Sequence, residues 1–159
     1  MLTKIGLGGS CHWCTEAIFQ SLKGVTDVQQ GWISSKEYPT FSEAVIVNFD
    51  PTFITLEVLI EIHLRTHSST SNHSMREKYR SAIYVFSEEQ FLQSSKILTS
   101  LQIHFSKPLI TDVQNFDTFK LNTENYLNYY HKNPDKPFCR NVIDPKLQEL
   151  RKQFSKFVI

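Results

Sequence analysis

Net charge is almost absent from this chain: 17 Lys and Arg against 16 Asp and Glu leave +1 over 159 residues. That balance gives no electrostatic reason to expect nucleic acid or an anionic membrane as a main partner. No apolar stretch approaches the length of a membrane span. The opening Met1-Leu2-Thr3-Lys4-Ile5-Gly6 lacks the apolar run and cleavage site of a secretory signal. Cysteine is scarce, and its count of three is odd for a secreted disulfide framework. In a reducing cytosol such thiols more often serve catalysis or metal binding. Internal repeats, low-complexity tracts and dividing linkers are missing too. The expectation is a cytoplasmic protein with one domain over residues 1–159, long enough to bury a core without disulfide staples. What is plentiful is the aromatic side chain, at 13% with 12 Phe, so the core should be rich in phenylalanine.

The densest chemistry lies in Gly8-Gly9-Ser10-Cys11-His12-Trp13-Cys14-Thr15-Glu16. Leu2–Gly9 reads as a short strand, and Ile18, Phe19 and Leu22 are spaced for an amphipathic helix. Cys11 therefore falls where a strand turns into a helix, with Ser10 or Thr15 as cap. A thiol there meets free backbone N–H groups and the positive end of the helix dipole, and both favour the nucleophilic thiolate. Cys14 follows three residues on, within pairing range of Cys11.

Gly24 suits a helix stop in the left-handed region, followed by a strand over residues 25–33 that is irregular at Gln29-Gln30-Gly31. A polar connection over 34–40 precedes an alternating strand over 43–49, closed by Asp50-Pro51. Thr55 should cap a helix to about His67, and the Ser- and Asn-rich 68–76 reads as a loop. A strand over 80–86 leads to Ser87-Glu88-Glu89-Gln90, a capping box opening a helix to about His104. Short strands are expected at 109–113 and around Phe119, then a helix capped by Asn122 and running through Tyr130. Asp144-Pro145 starts a last helix with Leu147 and Leu150 on its apolar stripe, its cations being a solvated face. The order strand, helix, strand, strand, helix, strand predicts an α+β fold with a ferredoxin-like split βαβ core. Its sheet should be mixed and mostly antiparallel with helices on one face. A C-terminal segment would wrap the core and bring Cys139 towards Cys11.

With these residues in view, the chain resembles the methionine-S-sulfoxide reductase A family. The family's Gly-Cys-Phe-Trp-Gly-x-Glu matches Ser10-Cys11-His12-Trp13-Cys14-Thr15-Glu16. The match continues through Glu43-Ala44-Val45, Phe49-Asp50-Pro51, Tyr79-Arg80-Ser81-Ala82-Ile83-Tyr84, His131-Lys132-Asn133-Pro134, Cys139 and Pro145-Lys146. The resemblance implies an oxidoreductase of oxidative-damage repair acting on the S epimer of methionine sulfoxide, free or in peptides. Cys11 would attack the sulfoxide sulfur while Glu43 supplies the proton for the leaving oxygen, which needs a carboxyl whose pKa burial has raised. Tyr79 would hydrogen-bond that oxygen, and Trp13 would form the apolar wall for the methyl group. A second thiol would then condense the Cys11 sulfenic acid to a disulfide. Cys139 occupies the place of the family's resolving cysteine. No bound cofactor or metal is implied, because electrons arrive by thiol exchange from a thioredoxin-type or other thiol reductant.

Several positions depart from the pattern. His12 replaces Phe, which puts a titratable ring in the pocket wall or beside the thiol it could activate. Cys14 replaces Gly and creates a Cys-x-x-Cys. Proximity favours a Cys11–Cys14 disulfide forming first, with Cys139 taking over by exchange. The family's Pro-Thr-Tyr reads Pro39-Thr40-Phe41, leaving Tyr38 to supply that hydroxyl, and the family's loop Asp is Ser74. On its own, Glu43 at a strand start reads as solvent-facing. Two other functions fit parts of the pattern. One is a thiol–disulfide oxidoreductase using Cys11 and Cys14 on a non-methionine substrate. The other is a zinc module drawing on Cys11, His12, Cys14 and one of His67, His73 or Cys139.

Overall fold

The computed structural model describes residues 3–159, so Leu2 of the expected first strand lies outside it. The elements are β1 (Thr3–Gly8), α1 (His12–Gln20), β2 (Val25–Ser35), β3 (Ser42–Phe49) and α2 (Leu56–Arg65). They continue with β4 (Ala82–Val85), α3 (Glu88–Leu101), β5 (Asp112–Leu121), α4 (Tyr129–Lys132) and α5 (Asp144–Gln153). β3 lies antiparallel between β1 and β2, and β4 lies antiparallel on the other side of β1. β5 then runs parallel to β4 and antiparallel to β2, and this closes the sheet into a barrel in the order β1-β3-β2-β5-β4.

The α+β class is the one expected, but the sheet is not open. The segment expected as two short strands, at 109–113 and around Phe119, forms the single ten-residue β5. Strand alternation explains the two cores. Val45 and Val47 of β3 join Ile5, Leu7, Ile83 and the buried faces of α1 and α2 in the main cluster. Their neighbours Ala44 and Ile46 point the opposite way, into a smaller cluster with Ile33, Ala82 and Tyr84.

Local signals placed two of the helix starts, those of α2 and α3. Thr55 Oγ1 accepts the Val58 N–H at 3.2 Å. Ser87 Oγ accepts from Gln90 N–H at 3.1 Å, while Gln90 Oε1 takes the Phe86 N–H at 2.9 Å. Gly24 adopts the expected left-handed conformation, with a φ of 91°, but in the turn beyond the helix, because α1 already ends at Gln20 with Ser21 as its C-cap. The helix expected from Asn122 to Tyr130 does not form. A 3-10 turn over Glu124–Tyr126 and the four-residue α4 replace it, separated by Asn128 at a φ of 55°. Before α5, a π-helical turn spans Cys139–Ile143 and tucks the buried Cys139 against the core. Asp144 does not cap α5, whose cap position is Ile143; its carboxylate accepts the Tyr130 hydroxyl instead. Among the described residues no helix is long and apolar enough to cross a membrane.

Candidate active site

α1 begins at His12, with Cys11 in the cap position. The Cys11 carbonyl accepts from Cys14 N–H at 3.1 Å and Thr15 N–H at 3.2 Å, which sets the first turn. Neither Ser10 nor Thr15 caps the helix: their hydroxyls lie 3.3 Å apart, and Thr15 Oγ1 donates back to the Cys11 carbonyl. A carboxylate from β3 meets the free end instead. Glu43 Oε1 accepts the His12 N–H at 3.2 Å, a favourable place for negative charge. Glu43 is not solvent-facing; it is 6% exposed, with its own N–H donating to the Lys78 carbonyl at 3.0 Å. Lys78 Nζ reaches to 3.6 Å from Oε2. The Tyr79 hydroxyl and the Glu43 charge beside it hold that ammonium above the ordinary lysine value.

The Cys11 and Cys14 sulfurs hydrogen-bond each other. The bond given by Cys11, with the charge of Lys146 behind it, holds the Cys14 thiol below its ordinary value despite burial. The same bond and burial push the Cys11 thiol up. Glu43 works in the same direction on Cys11. Its carboxylate already occupies the helix start, and its charge opposes a second anion on Cys11. All three cysteines are free thiols. Cys139 shares the apolar cluster of Cys14, and burial pushes its thiol up, helped by the charges of Asp144 and Cys14.

Both thiols border a cleft of about 560 Å³, whose walls include Tyr79, His67, Phe138 and Lys146. Arg76 ties its rim together. The guanidinium donates to the carbonyls of Gly9 and Tyr79 at 2.8 Å, Ser71 at 2.9 Å and Ser68 at 2.5 Å. Trp13 is not among the lining residues. It stacks on Tyr129 with centroids 3.9 Å apart and on Tyr126 at 5.6 Å, with the edge of Phe138 also at 5.6 Å. Its buried indole N–H has no partner among the described residues. Tyr38 stands apart from the cleft. It is 49% exposed, with the Arg80 guanidinium over its ring at 5.1 Å, and borders a separate hollow with Thr40 and Asp112.

His12 points away from the cleft, and its ring is buried. Nδ1 lies 2.9 Å from the Gly31 carbonyl, and Nε2 lies 3.5 Å from Glu43 Oε1 and 3.4 Å from Asn122 Nδ2. Gln30, Lys78 and Arg76 were not singled out by the sequence, and Asn122 was read there only as a helix cap. Asn122 and Gln30 carry no local signal of a shared site, because they meet across 92 positions of chain. The zinc set proposed from sequence is not gathered: among the described residues no three His, Cys, Asp or Glu side chains cluster to hold a metal ion.

Two thiols in one helical turn, a buried carboxylate on that same turn and an aromatic box beside it make up a thiol redox centre. A sequence model described as peptide methionine sulfoxide reductase matches residues 3–158, and the chain belongs to that family. The peptide methionine sulfoxide reductase MsrA of Nitratiruptor sp. is 32% identical, with 96% of each chain covered. Reduced Mxr1 from Saccharomyces cerevisiae shares the fold, with a TM-score of 0.77 at 22% identity, covering 87% of this chain and 89% of that one. Mxr1 solved in complex with Trx2 gives a TM-score of 0.63 at 20% identity, covering 80% and 84%.

Proposed function

We propose that this chain reduces the S epimer of methionine sulfoxide, free or within peptides, with Cys11 as nucleophile and Glu43 as general acid. The observation that carries this reading is the placement of Glu43. Its buried carboxylate is hydrogen-bonded to the first N–H of α1, one residue from a thiol that opens on the cleft. Cys11 attacks the sulfoxide sulfur as the thiolate, its proton having left to solvent. Glu43 protonates the sulfoxide oxygen, which passes from the substrate sulfur to the Cys11 sulfur as the transient bond between the two sulfurs breaks, giving methionine and a sulfenic acid on Cys11. The Cys14 sulfur then attacks the Cys11 sulfur, the disulfide forms and water leaves. Glu43 regains its proton from solvent. Tyr79, on the cleft wall, donates a hydrogen bond to the sulfoxide oxygen.

Cys139 takes over by exchange, and a thioredoxin-type or other dithiol reductant returns the chain to its thiol form. Trp13 serves the substrate methyl group as one wall of the aromatic box it forms with Tyr126, Tyr129 and Phe138. The elements β1–α1–β2–β3–α2–β4 are read as a ferredoxin-like core to which β5 is added. A cytoplasmic location and a single domain complete the proposal.

Single-turnover assays with the two epimers of a methionine sulfoxide peptide test it. The S epimer should yield one methionine per protein and the R epimer none. Cys11→Ser should abolish the step, and Glu43→Gln should slow it by roughly 10²–10⁴-fold, the usual loss for a missing general acid. Equal turnover of a disulfide panel without sulfoxide reduction would overturn the reading in favour of thiol–disulfide exchange.

A further inference from the structure

Histidine at position 12 is wired into a hydrogen-bond chain whose direction is set by Glu16, one turn along α1, and passed on through Gln30 and Asn122. The buried Glu16 carboxylate can only accept, so at Gln30 the amide nitrogen must face it, donating to Oε1 at 2.9 Å and to the Tyr126 carbonyl at 2.9 Å. Gln30 Oε1 is then an acceptor, and Asn122 Nδ2 donates to it at 2.6 Å. Asn122 cannot be turned round, because its Oδ1 accepts the Thr123 N–H at 2.8 Å. Its second amide hydrogen is left for His12 Nε2 at 3.4 Å. On the other side of the ring, the Gly31 carbonyl at 2.9 Å accepts only, so Nδ1 carries the hydrogen.

We infer that this oriented chain holds His12 as the Nδ1–H tautomer, so that its bare Nε2 faces Glu43 Oε1 across 3.5 Å and accepts a hydrogen bond from the acid form of Glu43 when the reaction calls for it. His12 is thus a positioning residue for the general acid. The inference rests on the proposed role of Glu43. A histidine this close to a carboxylate would otherwise draw the proton to itself as an ion pair. The Asn122 N–H directed at Nε2 opposes a second hydrogen there, so the ring stays an acceptor towards Glu43. The charged and titratable groups facing the pair are Lys78, 3.6 Å from Glu43 Oε2, and the thiols of Cys11 and Cys14, on which Glu43's charge acts. Lys120 lies farther off, over the Trp32 ring that meets His12 edge-on.

The test begins with the unmodified protein. Nitrogen-15 NMR of His12 near pH 7 should show Nδ1 protonated and Nε2 bare. A proton on Nε2, as imidazolium or as the other tautomer, overturns the inference whatever the enzyme's activity. Asn122→Asp replaces the donor at Nε2 with an acceptor. His12 Nε2 should then become protonated, and single-turnover reduction should slow toward the roughly 10²–10⁴-fold loss of a missing general acid. Asn122→Ser retains one donor and should recover most of that rate. If Asn122→Asp protonates Nε2 while the rate stays at the wild-type level, the proton on Glu43 is not under His12's control and the inference fails. If wild type reduces no sulfoxide but His12 shows the Nδ1–H tautomer, the failure belongs to the proposed function alone.

Discussion

Replacing Glu16 by Gln changes one oxygen to an amide nitrogen without altering size, so its effect isolates hydrogen bonding. Glu16 is 1% exposed and takes three donors: Gln30 Nε2 at 2.9 Å and Tyr129 N–H at 3.2 Å on Oε1, and Asn128 N–H at 3.0 Å on Oε2. The best placement for glutamine keeps its oxygen at the doubly bonded site. Its amide nitrogen then faces the Asn128 N–H, two donors in contact, and one backbone N–H loses its partner. An unsatisfied buried group costs about 1–3 kcal/mol, and the two surviving bonds weaken because their acceptor is no longer charged. Relief from burying a charge offsets part of this. A net loss of about 2–3 kcal/mol follows, which at a urea slope of about 2 kcal/mol/M lowers the midpoint by about 1 M. Hydrogen exchange at Asn128 and Tyr129 should accelerate more than in β3, because these bonds tie down the segment that carries the aromatic box and leads to Cys139. A midpoint within about 0.2 M of wild type at unchanged slope would refute the reasoning.

Gly31→Ala should be more damaging than an ordinary strand substitution, because a Cβ there would lie 2.0 Å from the Lys120 carbonyl oxygen. Pushing β5 off β2 should cost about 3 kcal/mol or more, read as a large drop in melting temperature, and a near-wild-type melt would contradict the barrel closure. Burial lowers the pKa of His63 to about 4 from an ordinary 6.5, so the folded state keeps this ring neutral. Stability from this site is full above pH 6.5 and is lost as pH falls to about 4, by about 3 kcal/mol in all. Urea midpoints across that window should show the decline, and His63→Gln should flatten it; His67, shifted the same way by burial, adds to the slope. Cys14→Ser should stop the first disulfide from accumulating after one equivalent of sulfoxide, whereas Cys139→Ser should slow only later recycling. Mass mapping of a Cys11–Cys139 bond formed at full rate in the Cys14→Ser protein would reverse that order.

What could be read from the chain was what neighbours within four residues decide. Thr55 and the Ser87–Gln90 box act locally, and so the starts of α2 and α3 were legible from the chain, as was the left-handed turn at Gly24 though not the end of α1 at Gln20. The family resemblance picked out Cys11, Glu43 and Tyr79, and the spacing to Cys11 picked out Cys14; the four do gather at one end of α1 and its cleft. Contacts between residues far apart in the chain were invisible. Tyr38 looked like a spare hydroxyl near the site, yet Arg80, held to Thr40 at 2.7 Å, draws its ring to another face. Asn122 looked like a helix cap because asparagine usually is one there. Its backbone N–H instead donates to the Gln30 carbonyl at 3.0 Å, extending the β2–β5 contact. A long-range partner outcompeted the local one.

The same closure explains how a buried histidine is tolerated at position 12. A neutral imidazole on α1 needs an acceptor for one nitrogen and a donor for the other, or it leaves a polar atom unpaired at about 1–3 kcal/mol. The acceptor is the Gly31 carbonyl, at the position where the missing side chain lets Lys120 of β5 approach. The donor is Asn122, the first residue beyond β5. The donor therefore depends on β5 lying against β2 and would be absent in an open sheet, whereas the acceptor belongs to β2 itself. Gly31→Ala should accordingly loosen His12 along with β5: its ring would lose the Asn122 bond, and with it the contact that fixes the tautomer facing Glu43, even in molecules that remain folded.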